Sequence, residues 1–345
     1  MKQTILKYIS LLAFLGSPLI STQTYAAECA TGTAPAEGCT IDVSNITYTL
    51  TGDIEPAAGT RGIEFTIDAD SNTLNLTGDI TTSGANGDGL FIDRSDSNTI
   101  NMIGNIVNTA AVGEFQQAIL LSNSDSNTIT LTGNIIRSND GDSALILSDS
   151  DSNKITINGT TTKIGAAAAY SFTNSSNNNL TINGDISSLA DGAHVFSLST
   201  TSTNNLITMT GDISTAGNGA RAIWLASGDA TNNTIVMTGD ILTSGEDAVA
   251  IQIESDSNTT TINGNITTTG ASSRGIYVQD CDSNTTTLTG DITTTGEFNF
   301  GTGYSANGIT IENSDSNNTT LIGNISTTGF TASGIDLLSG SDFNT

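Results

Sequence analysis

A unit resembling Asn-Thr-Ile-Thr-Leu-Thr-Gly-Asp-Ile recurs along this chain, with its Gly at 52, 78, 104, 133, 159, 184, 211, 239, 264, 290 and 323. The eleven anchors lie 25 to 33 residues apart, a mean near 27. Self-similarity at such a period means stacked units, each too small to bury an apolar face alone. Two residues before every anchor stands Leu, Ile or Met, from Leu50 to Leu321, and two residues after it stands Ile, with Thr161 the one exception. A period of two on both sides of the Gly predicts strands with one buried face. The Gly itself is expected to point inward, at a bend with no room for a Cβ.

A second alternating pair follows in the units, seen as Ile63/Phe65, Leu90/Ile92, Tyr170/Phe172 and Ile309/Ile311. The chain then turns through Ser-Asp-Ser-Asn, as at Ser95-Asp96-Ser97-Asn98. Asn is expected to take the left-handed conformation at that corner, with Ser and Asp bonding nearby amides. Three strands and three turns per unit predict an all-β fold, a right-handed parallel β-helix of about eleven coils and roughly 27 residues per coil. At ~4.8 Å per coil the rod would be roughly 50 Å long. A β-propeller needs longer units and a leucine-rich repeat needs a Leu lattice, and the sequence has neither.

Composition suits a narrow core. Only 36% of residues are hydrophobic and 5% aromatic, thin for one large globular core but sufficient for a long one. The formal net charge of -26, from 9 Lys+Arg against 35 Asp+Glu, argues against nucleic acid and anionic lipid as partners. Lys2 and Lys7 precede an apolar run from Ile9 to Ile20, and Thr24-Tyr25-Ala26 offers small residues for cleavage. The expected organisation is therefore a signal peptide over 1–26, an N-terminal cap over 27–45 and β-helix repeats over 46–345. Cys29 and Cys39 fall in the cap, where export permits a disulfide between them.

Residues for chemistry are scarce. The sole His is His194, beside the inward Phe196, which gives neither a nucleophile–base pair nor a zinc set. Cys281 lies in a corner, Cys281-Asp282-Ser283-Asn284, as a bystander thiol. After the signal the basic residues are Arg61, Arg94, Arg137, Lys154, Lys163, Arg221 and Arg274, spread too thinly along the sequence to suggest a groove. Asp70, Asp96, Asp125, Asp151, Asp256, Asp282 and Asp315 share one repeat position and should stack on one edge, which reads as a solvated acidic edge in preference to a Ca²⁺ ladder. No catalytic, metal or cofactor-binding residue is expected. The longest interval inserts Phe298, Phe300 and Tyr304, a candidate binding loop or a local hydrophobic plug.

The export signal, the Cys29/Cys39 start and the stacked Thr-Gly-[Asp/Asn]-Ile-Thr-Thr units resemble the passenger region of bacterial autotransporters, from Ile41 to the end. The resemblance implies a non-catalytic rod carried to the cell surface, outer membrane or exterior of a Gram-negative bacterium. There it would serve as adhesin or display stalk and meet a host or cell-surface receptor or a glycan. It also implies an outer-membrane translocator barrel in cis. No barrel-like strand pattern follows the repeats, and Ser341-Asp342-Phe343-Asn344-Thr345 reads as the start of another coil, so the passenger is expected to be truncated. The other reading is a secreted polysaccharide-active β-helix, a lyase or hydrolase.

Overall fold

Each repeat folds as three short strands. The segment before the Gly forms a five-residue strand such as Thr128–Thr132, the segment after it a three-residue strand such as Ile135–Arg137, and the second alternating pair a strand such as Leu145–Ser148. Strands of equal rank stack in parallel into a first sheet of 12 strands, a second of 10 and a third of 13. The structure is a computed structural model that describes residues 27–109, 116–138, 143–297, 305–338 and 340–345. Residues 1–26, where a signal peptide is expected, and the loop residues Phe298, Phe300 and Tyr304 lie outside the described residues.

The strands Ala27–Glu28, Gly32–Thr33 and Cys39–Ile41 form an N-terminal cap that extends the third and first sheets. With these set aside, and the isolated Ile54–Ile80 bridge counted in the second sheet, the chain crosses each sheet eleven times. It is a parallel β-solenoid of about eleven coils, with no helix among the described residues. A disulfide joins Cys29 to Cys39, and both are buried in the cap.

The ladders of Leu, Ile and Met run through the interior. Leu50, Leu76, Leu131, Ile157 and Ile182 are at most 2% exposed, and Ile80, Ile135, Ile213 and Ile266 at most 1%. Each such side chain contributes roughly 1.5–3 kcal/mol of burial. The mid-rod core is filled by Tyr170, Phe172 and Phe196, all fully buried, with the Tyr170 and Phe196 rings 5.4 Å apart. The second sheet's other inward column is polar, and Thr82, Asn108, Arg137 and Lys163 are fully enclosed. Arg137 Nη2 donates to the Gln116 carbonyl at 2.7 Å, and Lys163 Nζ donates to that of Gly165. Two of the seven basic residues therefore face inward, on an interior that alternation alone assigns to apolar side chains.

Two details of the corners differ from expectation. The anchor glycines are half-exposed rather than inward: a Cβ on Gly133 would lie 1.9 Å from the Gly104 carbonyl oxygen in the preceding coil. What excludes a side chain is backbone stacked along the rod, not the core. In the Ser-Asp-Ser-Asn corners the second Ser takes the left-handed conformation, with φ of 60° at Ser97, 59° at Ser126 and 59° at Ser152, while Asn177, Asn204 and Asn232 take it at the same position of later corners, as expected of Asn. The Asn that follows the second Ser is the enclosed residue, and Asn98, Asn127 and Asn153 are at most 1% exposed. Its side chain bonds the adjacent coil, and that buried bonding outweighs the better left-handed propensity of Asn.

Candidate functional site

The corner side chains are occupied in holding coils together. In the buried Asn ladder each backbone N–H donates to the side-chain oxygen of the Asn one coil later, Asn98 to Asn127 at 2.9 Å and Asn127 to Asn153 at 2.8 Å. The stacked aspartates work in the opposite direction. Asp125 N–H donates to Asp96 Oδ1 at 2.7 Å and Asp151 N–H to Asp125 Oδ1 at 2.7 Å, while Asp282 and Asp315 continue the series at 2.8 and 2.7 Å. The acidic edge thus exists, and its carboxylates are acceptors for backbone amides. Among the described residues no group of three or more His, Cys, Asp or Glu side chains is placed to hold a metal ion. Cys281 stands in a corner column filled mostly by Ser, with Ala69 and Ala230 also in it, its N–H donating to Ser314 Oγ at 3.1 Å and its thiol to the Ile253 carbonyl at 3.3 Å. Burial pushes that thiol up to about 12.

The outer face of the third sheet departs from the repeat in coils seven to nine, whose strands are Arg221–Leu225, Val249–Ile253 and Arg274–Gln279. Their inward residues, Ile223/Leu225, Ile251/Ile253 and Ile276/Val278, keep the ordinary core pattern. Between each pair one residue points outward, and the register sets Ser197, Trp224, Gln252, Tyr277 and Thr310 side by side. Arg221, Val249 and Arg274 form the next column.

These side chains form two adjacent groups, one around Glu254 and one around Tyr277. Arg221 Nε donates to Gln252 Oε1, and Gln252 Nε2 to Glu254 Oε1. Trp224 Nε1 donates to Glu254 Oε2 at 3.2 Å, and Tyr277 Oη to Glu312 Oε2 at 2.7 Å. The Arg221 guanidinium lies 4.9 Å from the Trp224 ring centre and that of Arg274 lies 4.2 Å from Tyr277, both within cation–π range. His194 packs edge-on against Trp224 at 4.6 Å and accepts the Arg221 backbone N–H at 3.2 Å. Burial, with the charges of Arg221 and Lys163, lowers its imidazole to about 3, so it is neutral near pH 7. Burial also pulls Arg221 below its ordinary value, and Glu254 opposes that pull.

Arg221 and Arg274, remote in sequence, therefore share a surface with Trp224 and Tyr277, which corrects the expectation that no groove gathers basic and aromatic residues. The signal was present in the repeat. Reading the residue between the two apolar members of each pair gives Trp224, Gln252 and Tyr277 in succession. No protein-family model, curated protein or solved structure matches this chain.

Proposed function

We propose that the chain is an exported, non-catalytic β-helical rod, an autotransporter-like passenger that acts at the surface of a Gram-negative bacterium as adhesin or display stalk. The observation that carries this reading is the contrast between scaffold and surface. Coil after coil spends its polar corner residues on ladders along the rod, and the outer face of coils seven to ten gathers a Trp, a Tyr, two Arg and two Glu. A surface of that composition suits recognition, since aromatic and Arg side chains supply much of the energy at binding sites. His194, the usual choice of general base, is neutral there and enclosed between Arg221 and Trp224.

The acids of the same face favour one second reading, a secreted enzyme acting on polysaccharide, since Glu254, Asp256 and Asp280 line a common cleft. Two experiments separate the readings. Protease applied to intact cells of the encoding bacterium should remove the protein, and an antibody to it should block adherence. Incubation of the full chain with plant, fungal and bacterial polysaccharides should release no new chain ends. Protection from protease would end the display reading, and falling polymer viscosity would replace it with the enzymatic one.

A further inference from the structure

Two clefts meet on the outer face of the third sheet. The first, of about 310 Å³, is lined by residues that include Arg221, Asp247, Val249, Arg274 and Tyr277. The second, of about 350 Å³, is lined by residues that include Gly228, Asp256 and Asp280. Glu254 and Gln279 line both, so the clefts form one trough along coil eight, from Asp247 at one corner to Asp256 at the next. Each cleft alone is at the lower limit of about 300 Å³ for small-molecule sites, and together they exceed a single-ring ligand.

The floor of the trough is set in advance. Gln252 is 4% exposed and held on both sides, by Arg221 and by Glu254, so little ordering remains to be done on binding. The walls alternate donors and acceptors, the guanidinium groups against the carboxylates of Asp247, Glu254, Asp256 and Asp280. Asp247 Oδ1 is buried and accepts no hydrogen bond among the described residues.

Hydroxyl groups donate and accept at once, which suits alternating walls better than a ligand of one charge does. Two arginines and four carboxylates leave a local formal charge of -2, within a chain of -26, so an anionic polymer is repelled. The geometry points to a neutral oligosaccharide as the ligand of this trough, laid along coil eight with Asp247 and Asp256 accepting its hydroxyls. This assignment rests on the reading of the chain as a binding rod and gives that reading a ligand class.

Trp224 is the only tryptophan, and its indole is bonded to Glu254 in the trough, so its emission reports occupancy. The full chain should be titrated with maltohexaose, cellohexaose and chitohexaose, and with hexagalacturonate as the anionic counterpart. At least one neutral hexasaccharide should give a saturable change, and the acidic one none. Asp247→Gly suits the left-handed backbone at that position, where φ is 54°, and Asp256→Ser copies the residue that Ser176 places in the same ladder. Each should weaken binding at least tenfold, with the far-ultraviolet circular dichroism unchanged. Ser171→Ala, at the same outward column in coil five, should leave binding unaltered. Silence from all neutral sugars, preference for the acidic one, or full binding by both Asp variants would overturn the assignment. Adherence of cells whose unaltered chain binds none of the sugars would sink the trough and leave the adhesin standing. Sugar binding without adherence would do the reverse.

Discussion

Thr161 Oγ1 lies 2.6 Å from Tyr170 Oη inside the solenoid, where the two residues are 1% and 0% exposed. Thr161 is the single break in the Ile column that follows the anchor glycines, and Tyr170 is the one residue with a hydroxyl in the facing inward column of the third sheet. The two irregularities answer each other. A buried phenol needs a partner, and burial holds the Tyr170 hydroxyl well above the ordinary tyrosine range, hence protonated. Thr161→Val should cost about 1–3 kcal/mol by orphaning that hydroxyl, and adding Tyr170→Phe should recover most of the loss. Urea unfolding of both single variants and the double variant tests this, and a double variant no better than Thr161→Val refutes the pairing.

The Asn ladder gives the second prediction. Asn153 accepts the Asn127 N–H at 2.8 Å, donates to the Ser124 carbonyl at 2.9 Å and is 1% exposed. Asn153→Ala strands a buried donor and a buried acceptor, an expected loss of about 2–4 kcal/mol. Asn153→Asp keeps the acceptor for Asn127 but loses the donor, and should fall between the two. Hydrogen exchange should show the added opening centred on coils four and five, because each coil contacts only its neighbours.

Stacked glycines make a sharper contrast. An Ala at Gly133 meets backbone of the preceding coil at 1.9 Å, which cannot yield without separating the coils. At Gly192, where φ is 67°, an added Cβ has nothing within 4 Å. Gly133→Ala should cost about 3 kcal/mol or more, and Gly192→Ala only the left-handed penalty of about 1–2 kcal/mol. Equal losses in thermal unfolding would count against backbone stacking as the reason for the glycine column.

Periodicity made the scaffold readable because a coil repeats the same physical problem eleven times, and its solution shows as columns of Leu76, Met102 and Leu131 or of Ile80, Ile106 and Ile135. The same reasoning misplaced single residues wherever two roles suited one side chain. Asn98 and Ser97 exchange the expected parts because a buried amide ladder requires Asn one residue later; where Asn fills both positions, as at Asn177 and Asn178, the first keeps the left-handed turn. Arg137 and Lys163 take the inward parity of their strands and are enclosed, which their spacing along the sequence does not reveal. The trough stayed hidden because Arg221, Gln252 and Tyr277 are separated by about a coil each, and only the register places them in contact.

Cys281 provides a fourth test. It fills a corner column composed mostly of Ser, is 2% exposed and has its thiol raised to about 12, so almost no thiolate forms at neutral pH. Alkylation by iodoacetamide should be slower than for an exposed cysteine by about three orders of magnitude, and become fast in urea. Cys281→Ser restores the corner residue found at Ser255 and Ser314 and should shift stability by less than about 1 kcal/mol. Rapid labelling of the folded chain would place the thiol at the surface.

Acid should act on the rod through His194. Its folded value of about 3 lies below the ordinary histidine value near 6.5, because burial and the neighbouring Arg221 and Lys163 charges penalise the imidazolium. Between those two values the unfolded chain binds a proton that the folded chain does not, so stability falls as pH drops from about 6.5 toward 3. The expected slope from this residue is about 1.4 kcal/mol per pH unit. Asp88 works against it: burial raises its carboxyl to about 6, so the folded chain gains stability as pH falls through 6 toward the ordinary carboxylate range. The two are separable because His194→Gln removes the first and leaves the second. Unfolding free energies of wild type and His194→Gln at pH 7 and pH 4.5 should differ in their pH dependence by about 2–3 kcal/mol, with wild type the more acid-sensitive. Parallel pH profiles would mean that His194 takes up its proton without leaving the pocket formed with Trp224, and that the trough beside it tolerates the added charge.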